Sequence, residues 1–105
     1  NEITRETLNL SALSFIEAYD LNGNEKLLDI ANLILNKILE FDDSMMHIKI
    51  NIWQIKKRLS KLDDDIKNSL LILKNQVNDN QVLCGINILL DEIDEAKKII
   101  EKMNG

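Results

Sequence analysis

Ile48, Ile52, Ile55, Leu59 and Leu62 recur at steps of four, three, four and three. That spacing lines large apolar side chains along one face of an α-helix, whereas a strand would scatter them over both of its faces. The stretch from Ser44 to Leu62 is therefore expected to be a helix with a continuous buried stripe. Met46, Ile50 and Trp53 lie nearly opposite and lead into Lys57 and Lys61, so the helix has a second, mixed face. The stretch holds the only Trp and the only His of the chain. It also carries Lys49, Lys56, Lys57, Arg58 and Lys61 and no acid.

The rest of the chain follows the same period. There is no proline, and the only glycines are Gly23, Gly85 and Gly105. Few turns can then demand unusual backbone angles, which favours helices joined by short polar loops. A first helix is expected from about Ile3 to Leu21, on Leu8 or Leu10, Ala12, Phe15, Ile16 and Tyr19. Asn22-Gly23-Asn24 ends it and caps the next. A second helix runs from about Glu25 to Phe41. Leu27, Ala31, Ile34, Ile38 and Phe41 form one stripe, and Leu28, Ile30, Leu35 and Leu39 widen it, so burial on more than one side is expected.

Asp42-Asp43-Ser44 is read as the cap of the third helix and Asp63-Asp64-Asp65 as that of the fourth, which has Ile66, Leu70, Leu73 and Val77 in register. Asn78, Asp79 and Asn80 form a loop before a shorter fifth helix, about Gln81 to Leu90. Asp91-Glu92 turns the chain into a sixth, about Asp94 to Met103. The expected fold is all-α, six helices in three antiparallel pairs of roughly 35 residues each, a period typical of stacked helical repeats. The 105 residues are read as a single domain. Because the chain begins at Asn1, it is expected to be a fragment of a longer protein.

Composition excludes several classes. No apolar run approaches a membrane span and no signal-peptide pattern opens the chain. The single Cys84 rules out an intrachain disulfide and fits a reducing, cytoplasmic setting. The chain carries −5 while the central stretch alone carries +5, leaving −10 for the remainder. Such a balance speaks against nucleic acid as the main partner and leaves one helix able to steer an acidic protein or peptide.

The stretch Leu90-Asp91-Glu92-Ile93-Asp94-Glu95-Ala96-Lys97-Lys98-Ile99-Ile100-Glu101-Lys102-Met103 resembles the second helix of a tetratricopeptide (TPR) repeat. A turn and a large residue precede a small Ala, then an apolar pair, a Lys and an apolar end. Ile66, Ser69 and Leu73 take the large, small and large places of a weaker copy. Ala18 to Lys26 is similar to the family's turn, with Ala31 and Ile34 following at a shifted register. The resemblance implies a short right-handed superhelix, of bacterial type, whose concave groove binds a peptide or helix of a partner or of the same polypeptide. It would turn Ile50, Trp53, Gln54, Lys57 and Lys61 towards that groove. The family's carboxylate clamp is not reproduced, and no clamp residue is carried over.

No catalytic constellation is visible, and no cofactor or metal is expected. His47 lacks a second His, and a metal site needs three or four convergent ligands. Cys84 sits in an apolar helix and reads as a small core residue. Asp20-Leu21-Asn22-Gly23-Asn24 only superficially resembles a calcium loop, because its glycine comes too early and the closing Glu is missing. The leading expectation is a non-catalytic protein–protein interaction module. The alternative is a helical-bundle dimerisation or regulatory piece of a larger enzyme such as a nuclease, hence a possible homodimer.

Overall fold

The computed structural model describes residues 2–103, and six α-helices account for most of them. They fall into two compact units, one closing at Ile55 and the other opening at Lys56.

In the first unit, α1 (Glu2–Asn22) and α2 (Glu25–Phe41) form a helical hairpin. Its turn is built as the residues there require. Gly23 adopts φ +72°, a left-handed conformation that costs a glycine little, and its N–H donates to the Tyr19 carbonyl at 2.7 Å. Asn24 then caps α2, its side chain accepting from the Lys26 N–H at 3.1 Å. Ala12 and Ile16 of α1 are buried, as are Leu28, Ala31, Leu35 and Ile38 of α2. Ala12 and Ala31 are the small residues of this set. The α3 helix (Met46–Arg58) contributes buried Ile48 and Ile50. A polar bond crosses this packing: Asn51 Nδ2 donates to Oδ1 of buried Asn9 at 2.9 Å. A buried acceptor left without its donor is costly, so this pair favours one register of α3 on α1.

The expected cap at Asp42-Asp43-Ser44 needs correcting. Asp42 Oδ1 accepts from the Ser44 N–H at 3.0 Å and from its hydroxyl at 2.6 Å, which makes a local turn. Those two bonds, the hydroxyl first, hold the Asp42 carboxyl below its ordinary pKa. The Asp42 N–H meanwhile closes α2 on the Ile38 carbonyl. Helix α3 starts beyond the turn, with the Met45 carbonyl accepting from Ile48 and Lys49.

The period-four-three stripe also outlasts the helix that carries it. Ser60 takes φ +58°. Its N–H bonds the Lys57 carbonyl and the Lys61 N–H bonds the Lys56 carbonyl, a Schellman closure that ends α3 before Leu59 and Leu62.

The second unit contains α4 (Asp64–Lys74), α5 (Asn80–Leu89) and α6 (Ile93–Met103). Asp63 caps α4 by accepting from Ile66, and Asp79 caps α5 by accepting from Gln81 and Val82. Helices α5 and α6 form the second hairpin. Leu70 of α4 and Val82, Ile86, Leu89 and Ala96 of the hairpin are the buried apolar residues of this unit. The α5–α6 turn repeats the closure seen after α3. Asp91 takes φ +61°, its N–H bonds the Ile88 carbonyl, and the Glu92 N–H bonds the Asn87 carbonyl. Asn87 is fully buried, and its Oδ1 has no hydrogen-bond partner among the described residues.

Candidate functional site

Helix α2 is apolar around most of its circumference but is covered on only one side. Leu28, Ala31, Leu35 and Ile38 are buried, while Ile30, Leu33 and Phe41 remain 40%, 70% and 70% exposed. Those three share a row with Lys26 and Lys37, at steps of four, three, four and four. Lys37 is also paired with Glu40 at 3.1 Å on the surface. The row therefore presents Ile30 and Leu33 between two cations, with Phe41 one turn beyond Lys37. Burial of α2 on more than one side, expected from its width, is not seen at Ile30 and Phe41.

Helix α1 has a comparable outward row in Ile3, Leu10 and Leu21. Its intervening hydroxyls are already satisfied, since Thr7 donates to the Ile3 carbonyl at 2.9 Å and Ser14 to the Leu10 carbonyl at 3.1 Å. Covering such a row strands no hydroxyl donor.

The residues singled out from the sequence are distributed differently. Ile50, Trp53 and Gln54 belong to the first unit, and Lys57 and Lys61 to the second. Ile50 is buried, Trp53 and Gln54 are half-buried, and Lys61 is exposed. Lys57 has an internal task. Its ammonium donates to the Ile88 carbonyl at 2.6 Å and to Asp91 Oδ1 at 2.7 Å. Those groups stand at the C-terminus of α5, where the helix dipole and unpaired carbonyls favour a cation. The bond from Lys57, followed by its charge, holds the Asp91 carboxyl below its ordinary pKa. One residue further on, Glu92 pairs with Lys74 of α4 at 3.1 Å. Both acids of the α5–α6 turn are thus tied to lysines of the same unit.

His47 is exposed on α3. The Cys84 thiol lies 4.0 Å from the Ala96 carbonyl, within the α5–α6 hairpin. Among the described residues no group of three or more His, Cys, Asp or Glu side chains is arranged to hold a metal ion. No helix among the described residues is long and apolar enough to cross a membrane. The acids at Asp63 and Asp79 act as helix caps. The α2 row was the signal missed in the sequence: Ile30 and Phe41 were read as core and Leu33 was not singled out, because a width pattern alone does not say which side a neighbour covers.

Searches against protein-family models, curated proteins and solved structures found no match to this chain.

Proposed function

We propose that the chain is a non-catalytic protein–protein interaction module of helical-repeat type, whose hairpins follow the TPR pattern and whose partner is an amphipathic helix with acidic flanks. One observation carries the reading: the exposed row Ile30, Leu33 and Phe41 of α2, which Lys26 and Lys37 share. Contiguous apolar residues at helical spacing are costly to leave in water, at about 25 cal/mol per Å² of apolar surface, and a partner helix removes that cost. The lysines select acids on the partner's edges and speed encounter. This is the helix-in-groove mode, read by anchors three, four and seven residues apart.

Each unit adds a further contact of its own: Trp53 of the first offers a half-buried aromatic anchor, and Lys61 of the second, beyond the end of α3, an exposed cation. Lys57 contributes less, because its ammonium is committed to α5.

The test is fluorescence anisotropy with a labelled helical peptide carrying an apolar stripe and glutamates on both edges. Saturable binding that weakens with salt, and that falls at least about tenfold for Leu33→Asp, is expected. A peptide with lysines in place of the glutamates is expected to bind more weakly. Equal binding of both peptides, or insensitivity to Leu33→Asp, would sink the proposal.

A further inference from the structure

The second unit has its own unfilled apolar surface. Ile88 of α5 and Ile93, Ala96, Lys97, Ile100 and Glu101 of α6 line an open groove of about 550 Å³. Its floor is Ala96, which is buried yet has only a methyl group, and its walls include Ile93 and Ile100, 57% and 45% exposed. The rim holds one charge of each sign, four residues apart on the same helix. Neither Lys97 nor Glu101 makes an ion pair among the described residues, although the neighbouring Lys98 pairs with Glu95 at 3.5 Å.

From this arrangement we infer that the α6 groove docks the α6 helix of a second copy of the chain, antiparallel, around a twofold axis. A twofold interface must be self-complementary, because each residue meets what its own symmetry mate presents. Lys97 and Glu101 meet that condition. Four residues advance about 6 Å along a helix. With the axis midway between them, near Ile99, Lys97 of one copy faces Glu101 of the other, and the reverse pair forms by symmetry. Parallel pairing would oppose like charges. Close to the same axis Ile100 reaches across, and the small Ala96 leaves room for it, as ridges of one helix enter grooves of another. The surface is distinct from the α2 row and does not depend on the proposed peptide partner.

One helix face buries less than the roughly 800 Å² per partner of a standard interface, so the dimer is expected to be weak, with a Kd on the order of 10–100 µM. Sedimentation equilibrium on the full chain over a concentration series reads it directly. The wild type is expected to show reversible monomer–dimer exchange. Ile100→Asp is expected to leave a helical monomer by circular dichroism. Lys97→Glu and Glu101→Lys are each expected to be monomeric alone, since each opposes like charges across the axis. Mixed one to one, the two variants place opposite charges at both positions and are expected to recover the dimer. That rescue cannot come from a folding defect in either variant. A wild type that remains monomeric throughout, dimerisation unaffected by Ile100→Asp, or no rescue on mixing would each overturn the inference.

Discussion

Replacing Lys57 with Met separates an internal role for this residue from a role in contacting a partner. Methionine keeps the aliphatic stem and removes the ammonium. The loss is the charge-assisted bond at 2.6 Å to the Ile88 carbonyl, at the C-terminal end of α5. Hydrogen bonds to charged groups contribute about 1.5–3 kcal/mol when well shielded. The Lys57 side chain is 29% exposed, so solvent competes for it and the expected cost falls to about 1–2 kcal/mol. Asp91 adds no figure, because its carboxylate is exposed to water. For a domain of this size, a loss of that order lowers the Tm by roughly 5–10 °C.

Thermal melts followed by far-UV circular dichroism measure this shift, with Lys61→Met as the exposed control expected to leave the Tm in place. The Asp91 carboxyl gives an independent readout by NMR titration. Its folded pKa is depressed, so the stability tied to its ionised form is present above the ordinary carboxylate value and is lost as the pH falls through the folded one. In Lys57→Met that folded value is expected to rise back towards the ordinary range. A variant with an unchanged Tm and an unchanged Asp91 titration would refute the clamp.

Two further predictions concern stability. Ser60 occupies φ +58°, so Ser60→Gly is expected to stabilise the chain by about 0.5–1 kcal/mol, read as a higher urea midpoint. Asn87 Oδ1 is buried without a partner, so Asn87→Leu is expected to be neutral or to stabilise by up to about 1 kcal/mol in the same assay.

The helices were legible because their signals are local. The Gly23 turn, the Asn24 cap and the α2 bounds match the sequence reading, since left-handed glycine and side-chain capping act within a few residues. The end of α3 was not legible. Its apolar period continues through Leu59 and Leu62, yet Ser60 closes the helix in a left-handed conformation that serines seldom adopt. The start of α3 was misplaced for a related reason: Asp42 could cap a helix or bond Ser44 locally, and the local turn prevails. Lys57 looked like a free cation because its partners, Ile88 and Asp91, are more than thirty positions away and one of them is a backbone carbonyl. The apolar width of α2 was visible, but not which side stays uncovered.

A partner that docks on the uncovered row of α2 must perturb that row first. The most direct measurement is a titration of the isotopically labelled chain with the glutamate-flanked amphipathic peptide, followed by amide chemical shifts. Saturable shifts concentrated along α2, at Ile30, Leu33, Lys37 and Phe41, are expected, with smaller changes around Trp53. Saturable binding that leaves those α2 amides unmoved, or no binding at all, would contradict docking on that row.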